Sequence, residues 1–182
     1  MQEMETRIIK IDVDNIRSIA KTHNLELVKK ENQINNIYDF EDRRLLSKKG
    51  YARIRIIEDL LNNETINYMT TKKLISQTPY KVMDENEVII SDSETGKNIF
   101  TSLGLTLVES IKKYRESYKY KNTLIEIDIN DESFCPFPYL EIETNNEEEL
   151  KEVVTLLGYT MEDTTSKTIY EILDNEGVTK GI

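Results

Sequence analysis

Asn122-Thr123-Leu124-Ile125-Glu126-Ile127-Asp128-Ile129-Asn130 and, a few residues on, Leu140-Glu141-Ile142-Glu143 decide how this chain is built. Side chains two apart on a strand share a face of the sheet, so Ile125, Ile127 and Ile129 lie on one side and Glu126 and Asp128 on the other. Leu140 and Ile142 are opposed to Glu141 and Glu143 in the same way. The spacing recurs in Glu3, Glu5 and Arg7, in Arg53 and Arg55 interleaved with Ile54 and Ile56, in Glu85 with Glu87, and in Lys113 with Arg115. A face left to solvent mixes Thr, Ser, Lys, Glu and Gln loosely. Here acids gather on some strands and bases on others, which sets like charges side by side at a cost. Closing the strands into a barrel with the charges inside resolves that cost, because acidic strands then face basic ones across a bore while helices cover the apolar exterior.

Working outward, β-branched and aromatic residues alternating with polar ones predict strands near 2–11, 25–40 with a break near Gln33, 51–58, 64–72, 80–91, 106–119, 122–130 and 138–144. Three helices are expected. Asp12 or Asp14 caps one that carries Ile16, Ile19 and Ala20 on a single face. Ser93 caps a second that buries Ile99, Phe100 and Leu103 and stops at Gly104. Asn145 or Asn146 caps a third, with Glu147 to Glu149 at the positive end of its dipole, the stripe Leu150, Val153, Val154 and Leu157, and a stop at Gly158. The predicted fold is α+β: an eight-stranded antiparallel closed β-barrel, a tunnel with a charged lumen and helices packed outside. At 182 residues with three Pro and six Gly, and so no flexible linker, residues 1–182 are read as a single domain.

Composition excludes several functions. A net charge of −10 disfavours non-specific binding to nucleic acid. The longest apolar runs fall far short of the roughly 20 residues that a membrane-spanning helix needs. Met1 to Glu5 shows no basic segment followed by an apolar one, and Cys135 is the single cysteine, so a reducing, cytoplasmic location is expected. His23 is the single histidine, which excludes a Ser-His-Asp triad and a zinc cluster of Cys and His.

Eight acids of the expected lumen, Glu3, Glu5, Glu85, Glu87, Glu126, Asp128, Glu141 and Glu143, stand against six bases, Arg7, Arg53, Arg55, Lys72, Lys113 and Arg115, leaving two negative charges over. Clustered carboxylates without Cys or His are ligands for hard cations, so Mg²⁺ or Mn²⁺ is the expected complement. Grouped Arg and Lys match the oxygens of an anion, and Arg offers phosphate a planar fork. Together these describe a polyphosphate site, with a small-molecule triphosphate as the expected partner and a homodimer left open.

The same residues resemble the CYTH, or triphosphate tunnel metalloenzyme, superfamily. Glu3, Glu5 and Arg7 are similar to its opening Glu-x-Glu-x-Lys signature. Tyr38-Asp39-Phe40 leading to Ala52-Arg53-Ile54-Arg55, Met69-Thr70-Thr71-Lys72, Glu85-Asn86-Glu87, Lys113-Tyr114-Arg115, Asp128 and Leu140-Glu141-Ile142-Glu143 resemble its later strands, in order. The resemblance implies that Glu3, Glu5 and Glu143 lead in holding divalent metal, supported by Glu87, Asp128 and Glu141. It implies that Arg53, Arg55, Lys72, Lys113 and Arg115 cradle the phosphates together with Arg7, and that Glu5, Arg7 and Arg55 stand at the reacting centre. The activity it implies is metal-dependent hydrolysis of inorganic, nucleoside or thiamine triphosphate. The alternatives are a class IV adenylate cyclase, which makes cyclic AMP and pyrophosphate, and a module that binds triphosphate without cleaving it. Two departures stand out. Arg7 replaces the signature's Lys, and an arginine holds a phosphate but hardly serves as a base. Met83 replaces an Arg before Glu85, and Lys81, of the same parity, is the expected substitute.

Other conspicuous residues carry structural readings: His23 a solvated helix end, Cys135 an apolar filler, and Glu147 to Glu149 a solvated helix start. Tyr114, Tyr118 and Tyr120 read as wall packing, with stacking on a nucleobase as the alternative.

Overall fold

A computed structural model describes residues 2–178 of the chain, with the side chains of Gln2 and Glu3 outside the described set. In chain order the elements are β1 (Gln2–Ile9), α1 (Val13–Thr22), β2 (Glu26–Asp39), β3 (Tyr51–Asp59), β4 (Glu64–Ser76), β5 (Lys81–Ile90), α2 (Ser93–Ser102), β6 (Thr106–Tyr120), β7 (Thr123–Asn130), β8 (Tyr139–Thr144), α3 (Glu147–Leu156) and α4 (Ile169–Asn175). The strands close a barrel in the order β1-β5-β4-β3-β2-β6-β7-β8, and β8 pairs back onto β1. Every neighbouring pair is antiparallel. The expected α+β barrel with helices outside is the observed architecture.

Alternation decides which way the wall faces. Ile125, Ile127, Leu140 and Ile142 point outward with Ile8, and Ile16 of α1, Leu150, Val153 and Val154 of α3 and Leu157 just beyond its end bury them. On the other side of the barrel, Phe100 of α2 packs with Tyr38, Ala52, Ile54 and Leu105. The core is therefore a sleeve between barrel and helices, and the inner faces of the same strands are left to the charged side chains.

Helix ends follow the residues that can cap them. Asp12 Oδ1 accepts from Asn15 N at 3.0 Å, and Asn146 Oδ1 accepts from Glu148 N at 2.9 Å and Glu149 N at 3.2 Å. Gly104 and Gly158 take the left-handed conformation just beyond α2 and α3, at φ 89° and 84°.

Five expectations need correction. The cap of α2 is Asp92, which accepts from Thr95 N at 2.7 Å, one residue before the predicted Ser93. Leu103 is 66% exposed and Ile99 is also exposed, because α2 lies on the barrel through Gly96 and Phe100 and turns those two side chains to solvent. Strand β2 runs unbroken through Gln33, whose side chain is buried inside; the register slips lie instead at Leu27/Lys29 and Ile37/Tyr38. Glu149 is buried rather than solvated, its carboxylate accepting from Thr123 Oγ1 at 2.9 Å and Asn122 N at 3.1 Å. Helix α4 was not expected at all. It is short, but Thr168 and Glu171 form a reciprocal capping box, a Thr-x-x-Glu signal readable in the sequence.

Replacing Leu150, fully buried in the sleeve, by Ala is expected to destabilise the fold by about 2–5 kcal/mol in denaturant melts. Leu103→Ala, on the exposed side of α2, should change stability by no more than about 0.5 kcal/mol.

Candidate functional site

The inner face of the barrel encloses a cavity of about 610 Å³. Eight basic side chains line it, Arg7, Lys29, Arg53, Arg55, Lys72, Lys81, Lys113 and Arg115, with five acidic ones, Glu5, Glu85, Glu87, Glu141 and Glu143. Strand register brings them together. Glu5 lies opposite both Lys81 and Glu143, Arg7 opposite Glu141, and Arg115 opposite Asp128. Residues directly opposite each other share a face, so each of these pairs meets inside.

The charges are tied into three groups. On β1, β5 and β8, Arg7 Nη2 donates to Glu5 Oε1 at 2.9 Å and to Glu141 Oε2 at 2.5 Å, and Lys81 Nζ bonds the same Glu5 oxygen. On β6 and β7, Arg115 grips Asp128 through Nε at 2.6 Å and Nη2 at 2.7 Å and also pairs with Glu126, while Lys113 Nζ reaches Asp128 Oδ2 at 3.0 Å. Facing them on β3 to β5, Arg55 Nη2 bonds Glu87 at 2.9 Å, Arg53 Nη2 lies 3.3 Å from Glu87, and Lys72 Nζ lies 2.7 Å from Glu85.

Burial raises the electrostatic stakes. It opposes ionisation of Glu141, but the charges of Arg7, Arg115, Lys113 and Lys81 outweigh it and hold that carboxyl well below the usual range. Burial would likewise lower Arg7, yet Glu141 and Glu5 raise it above its ordinary value, so its guanidinium stays charged. Lys113 goes the other way: burial and the adjacent Arg115 push it down to about 8. Three guanidinium Nε–H groups, on Arg7, Arg53 and Arg55, are buried without an acceptor among the described residues. An orphaned buried donor costs about 1–3 kcal/mol, and a ligand presenting several oxygens would recover it.

Among the described residues, which leave out the Glu3 side chain, the cavity wall carries more bases than acids, and two features differ from the expected lumen. Lys29 and Lys81 also face inward, whereas Glu126 and Asp128 are fully buried behind Arg115 and do not line the cavity. Both lysines had a signal in strand parity, Lys81 with Glu85 and Lys29 with Gln33 and Asn35. A polar run on β2 was also missed: Asn35 Nδ2 donates to Gln33 and Gln33 Nε2 to Glu31, an inner-face alternation visible in the sequence. Tyr114, Tyr118 and Tyr120 lie on the outer face, the first two donating to Glu116 at 2.7 and 3.2 Å and the third to Glu152 at 3.2 Å, which removes the stacking alternative. His23 is exposed at the end of α1, and Cys135 is buried with Phe134 and Tyr139.

The acids suit a hard divalent cation in kind, being oxygen donors with no thiol or imidazole near them. Glu5 and Glu143 face each other across β1 and β8, with Glu141 next along β8. Among the described residues no three such side chains are gathered into a ready cluster, because Arg7 bridges Glu5 and Glu141. The Glu3 side chain, the other ligand expected on β1, lies outside the described residues.

The C-terminal segment covers one end of the bore. Arg7 exchanges backbone hydrogen bonds with Thr165 at 3.0 and 2.8 Å, and its Nη1 donates to Lys167 O at 3.0 Å. Ile169 and Tyr170 of α4 line the cavity, and the Tyr170 hydroxyl reaches Glu109 at 3.3 Å.

Comparison with protein families matches the CYTH domain over residues 1–169. Among curated proteins nothing matches. Several solved structures share the fold. The PH1012 protein from Pyrococcus horikoshii OT3 is 23% identical, with 93% of this chain and 98% of that one covered and a TM-score of 0.75. A candidate adenylate cyclase from Vibrio parahaemolyticus is 16% identical over 94% and 97% of the two chains, with a TM-score of 0.74. A candidate adenylyl cyclase from Hippeastrum, described as having a dominant triphosphatase activity, is 15% identical over 99% and 97%, with a TM-score of 0.68.

Glu5, Glu126, Asp128 and Glu141 are all held below their ordinary values in the folded chain. Their stabilising contribution is present above the unfolded value of about 4 and is lost as pH falls through the folded values. Urea midpoints should therefore hold from pH 7 to about 5 and drop steeply below about pH 4. Glu141→Gln should lower stability at pH 7 and flatten that acid slope.

Proposed function

The chain belongs to the CYTH domain family, and from that premise we propose that it is a divalent-metal-dependent hydrolase of triphosphates, acting inside the barrel on inorganic, nucleoside or thiamine triphosphate. The observation that carries this reading is the gathering of eight cationic side chains around one enclosed cavity, together with three buried Nε–H groups that have no acceptor among the described residues. A linear triphosphate has the charge and the oxygens to satisfy them.

In this reading Arg53, Arg55, Lys72, Lys113 and Arg115 grip the phosphate chain and stretch it along the bore, fixing the terminal phosphorus for in-line attack by water. The bond from that phosphorus to the bridging oxygen breaks, releasing orthophosphate and a diphosphate. Arg7 and Arg55 neutralise charge on the oxygens at the reacting centre. Arg7 does not act as a base, because Glu141 and Glu5 hold its proton firmly in place. Glu3, Glu5 and Glu143 would hold Mg²⁺ or Mn²⁺, with Glu87 and Glu141 supporting, whereas Asp128, which the resemblance places among the ligands, is buried off the cavity wall with both oxygens bonded to Arg115 and Lys113 and would instead hold those two cations in place. The bound ion would supply Lewis-acid polarisation of a phosphoryl oxygen. The ligand set, the roles of the bases and the choice of metal are parts of this proposal. So is the single tunnel domain spanning residues 1–182, with a small molecule rather than a membrane or non-specific nucleic acid as its partner.

Glu5→Ala is expected to abolish phosphate release from inorganic triphosphate, ATP and thiamine triphosphate with Mg²⁺ or Mn²⁺, and full activity in that variant would sink the hydrolase reading. Arg55→Ala should lower kcat by about 10²–10³-fold. Product analysis separates the second reading, which the resemblance in fold to a candidate cyclase brings in: cyclic AMP and pyrophosphate from ATP would identify a cyclase. Tight triphosphate binding with no turnover under either metal, reversed by Arg7→Lys, would identify a binding module. Tyr114→Phe, on the outer face, should leave turnover unchanged.

A further inference from the structure

Lysine is among the residues least often buried unless paired, yet Lys81 is only 6% exposed. It stands opposite Glu5 in the β1–β5 register. Its Nζ bonds Glu5 Oε1, the same oxygen that accepts from Arg7 Nη2 at 2.9 Å. One carboxylate oxygen thus serves two cations. Glu141 meets Arg7 from the other side at 2.5 Å, and Glu143 stands opposite Glu5 in the β1–β8 register, so the described side chains of this corner set three carboxylates around two cations.

The ammonium also has somewhere to go. Lys81 lines both the main cavity and a second one of about 390 Å³ that runs under α4.

Under the function proposed above, Glu5 is a ligand for a divalent ion, and such an ion cannot share Glu5 Oε1 with an ammonium without strong like-charge repulsion. We infer that Lys81 is a competing cation that couples the binding of metal to the binding of triphosphate. It occupies Glu5 while the tunnel is empty and leaves when a divalent ion arrives. The displaced ammonium then bonds a phosphoryl oxygen of the triphosphate. The two ligands therefore favour one another through a single side chain, an instance of reciprocal coupling between sites. The inference rests on the proposed function, since it needs Glu5 as a cation ligand and the bore as a polyphosphate site.

The coupling predicts effects of opposite sign in one variant. In Lys81→Met, Mn²⁺ alone should bind about tenfold more tightly, because its competitor is gone, while a non-hydrolysable imido analogue of inorganic triphosphate should bind about tenfold more weakly under saturating Mn²⁺ and with little change when chelator replaces the metal. Titration calorimetry on the full chain reads both, and a thermal melt confirms that the variant folds. Lys81→Gln, which keeps a hydrogen-bond donor for Glu5, serves as the second variant and should move both affinities in the same directions. Unchanged affinities in a variant whose parent binds both probes would overturn the role of Lys81 and leave the tunnel reading intact. Weaker triphosphate binding with Mn²⁺ affinity unchanged or reduced would also overturn it, making Lys81 a plain phosphate ligand. Failure of the unaltered protein to bind either probe would overturn the proposed function, and this inference with it.

Discussion

Charges that neutralise one another across a closed bore are the constraint on which this molecule depends. An isolated ionised side chain brought out of water costs far more than a single contact returns, so a barrel with Arg, Lys, Glu and Asp on its inner face holds together only if each charge finds its counterpart. Arg115 against Asp128 and Glu126, Arg7 between Glu5 and Glu141, and Arg55 against Glu87 meet that condition. Sheet closure makes the pairings available, because it alone sets the β1 acids beside the β8 acids and the β5 lysine.

The same constraint accounts for the inside-out distribution of the core. With most of the lumen given to charge, most isoleucines and leucines of the alternating strands are buried on the outside, where α1, α2 and α3 cover them, while Ile37 and Ile111 line the cavity and pack with Phe134 and Tyr139. Helix α4 has a different task. Together with Phe134 and Tyr139 it closes the end of the bore from which Arg7 reaches the carbonyl of Lys167, so the C-terminal segment helps to hold a residue of the candidate site. A low-dielectric, partly enclosed bore then strengthens every charge–charge contact within it, the condition under which a few cations can grip a polyanion selectively.

Much of this was legible without coordinates. Paired like charges at i and i+2, with Ile between them, carry the barrel and its polarity, and all of the lumen cations predicted from the strands line the cavity. Other features were not legible, for physical reasons. The charge of the lumen depends on which residues sit in the inner layer and which lie one layer deeper, and that depth separated Asp128 and Glu126 from the cavity wall. The facing of Ile99 and Leu103 depends on where α2 touches the barrel, a contact set by Gly96 and Phe100 that helical periodicity does not specify.

Periodicity two in charge and apolarity is a local property of the chain, so spacing alone is enough to set eight strands, the difference between their faces and the gathering of bases and acids on separate ones. Which carboxylate meets which cation is a property of register and closure, joining residues as far apart as Arg7 and Glu141 or Glu5 and Lys81. The tertiary structure alone decided that, because Coulomb energy in a buried bore depends on distances of a few ångströms that no spacing along the chain encodes.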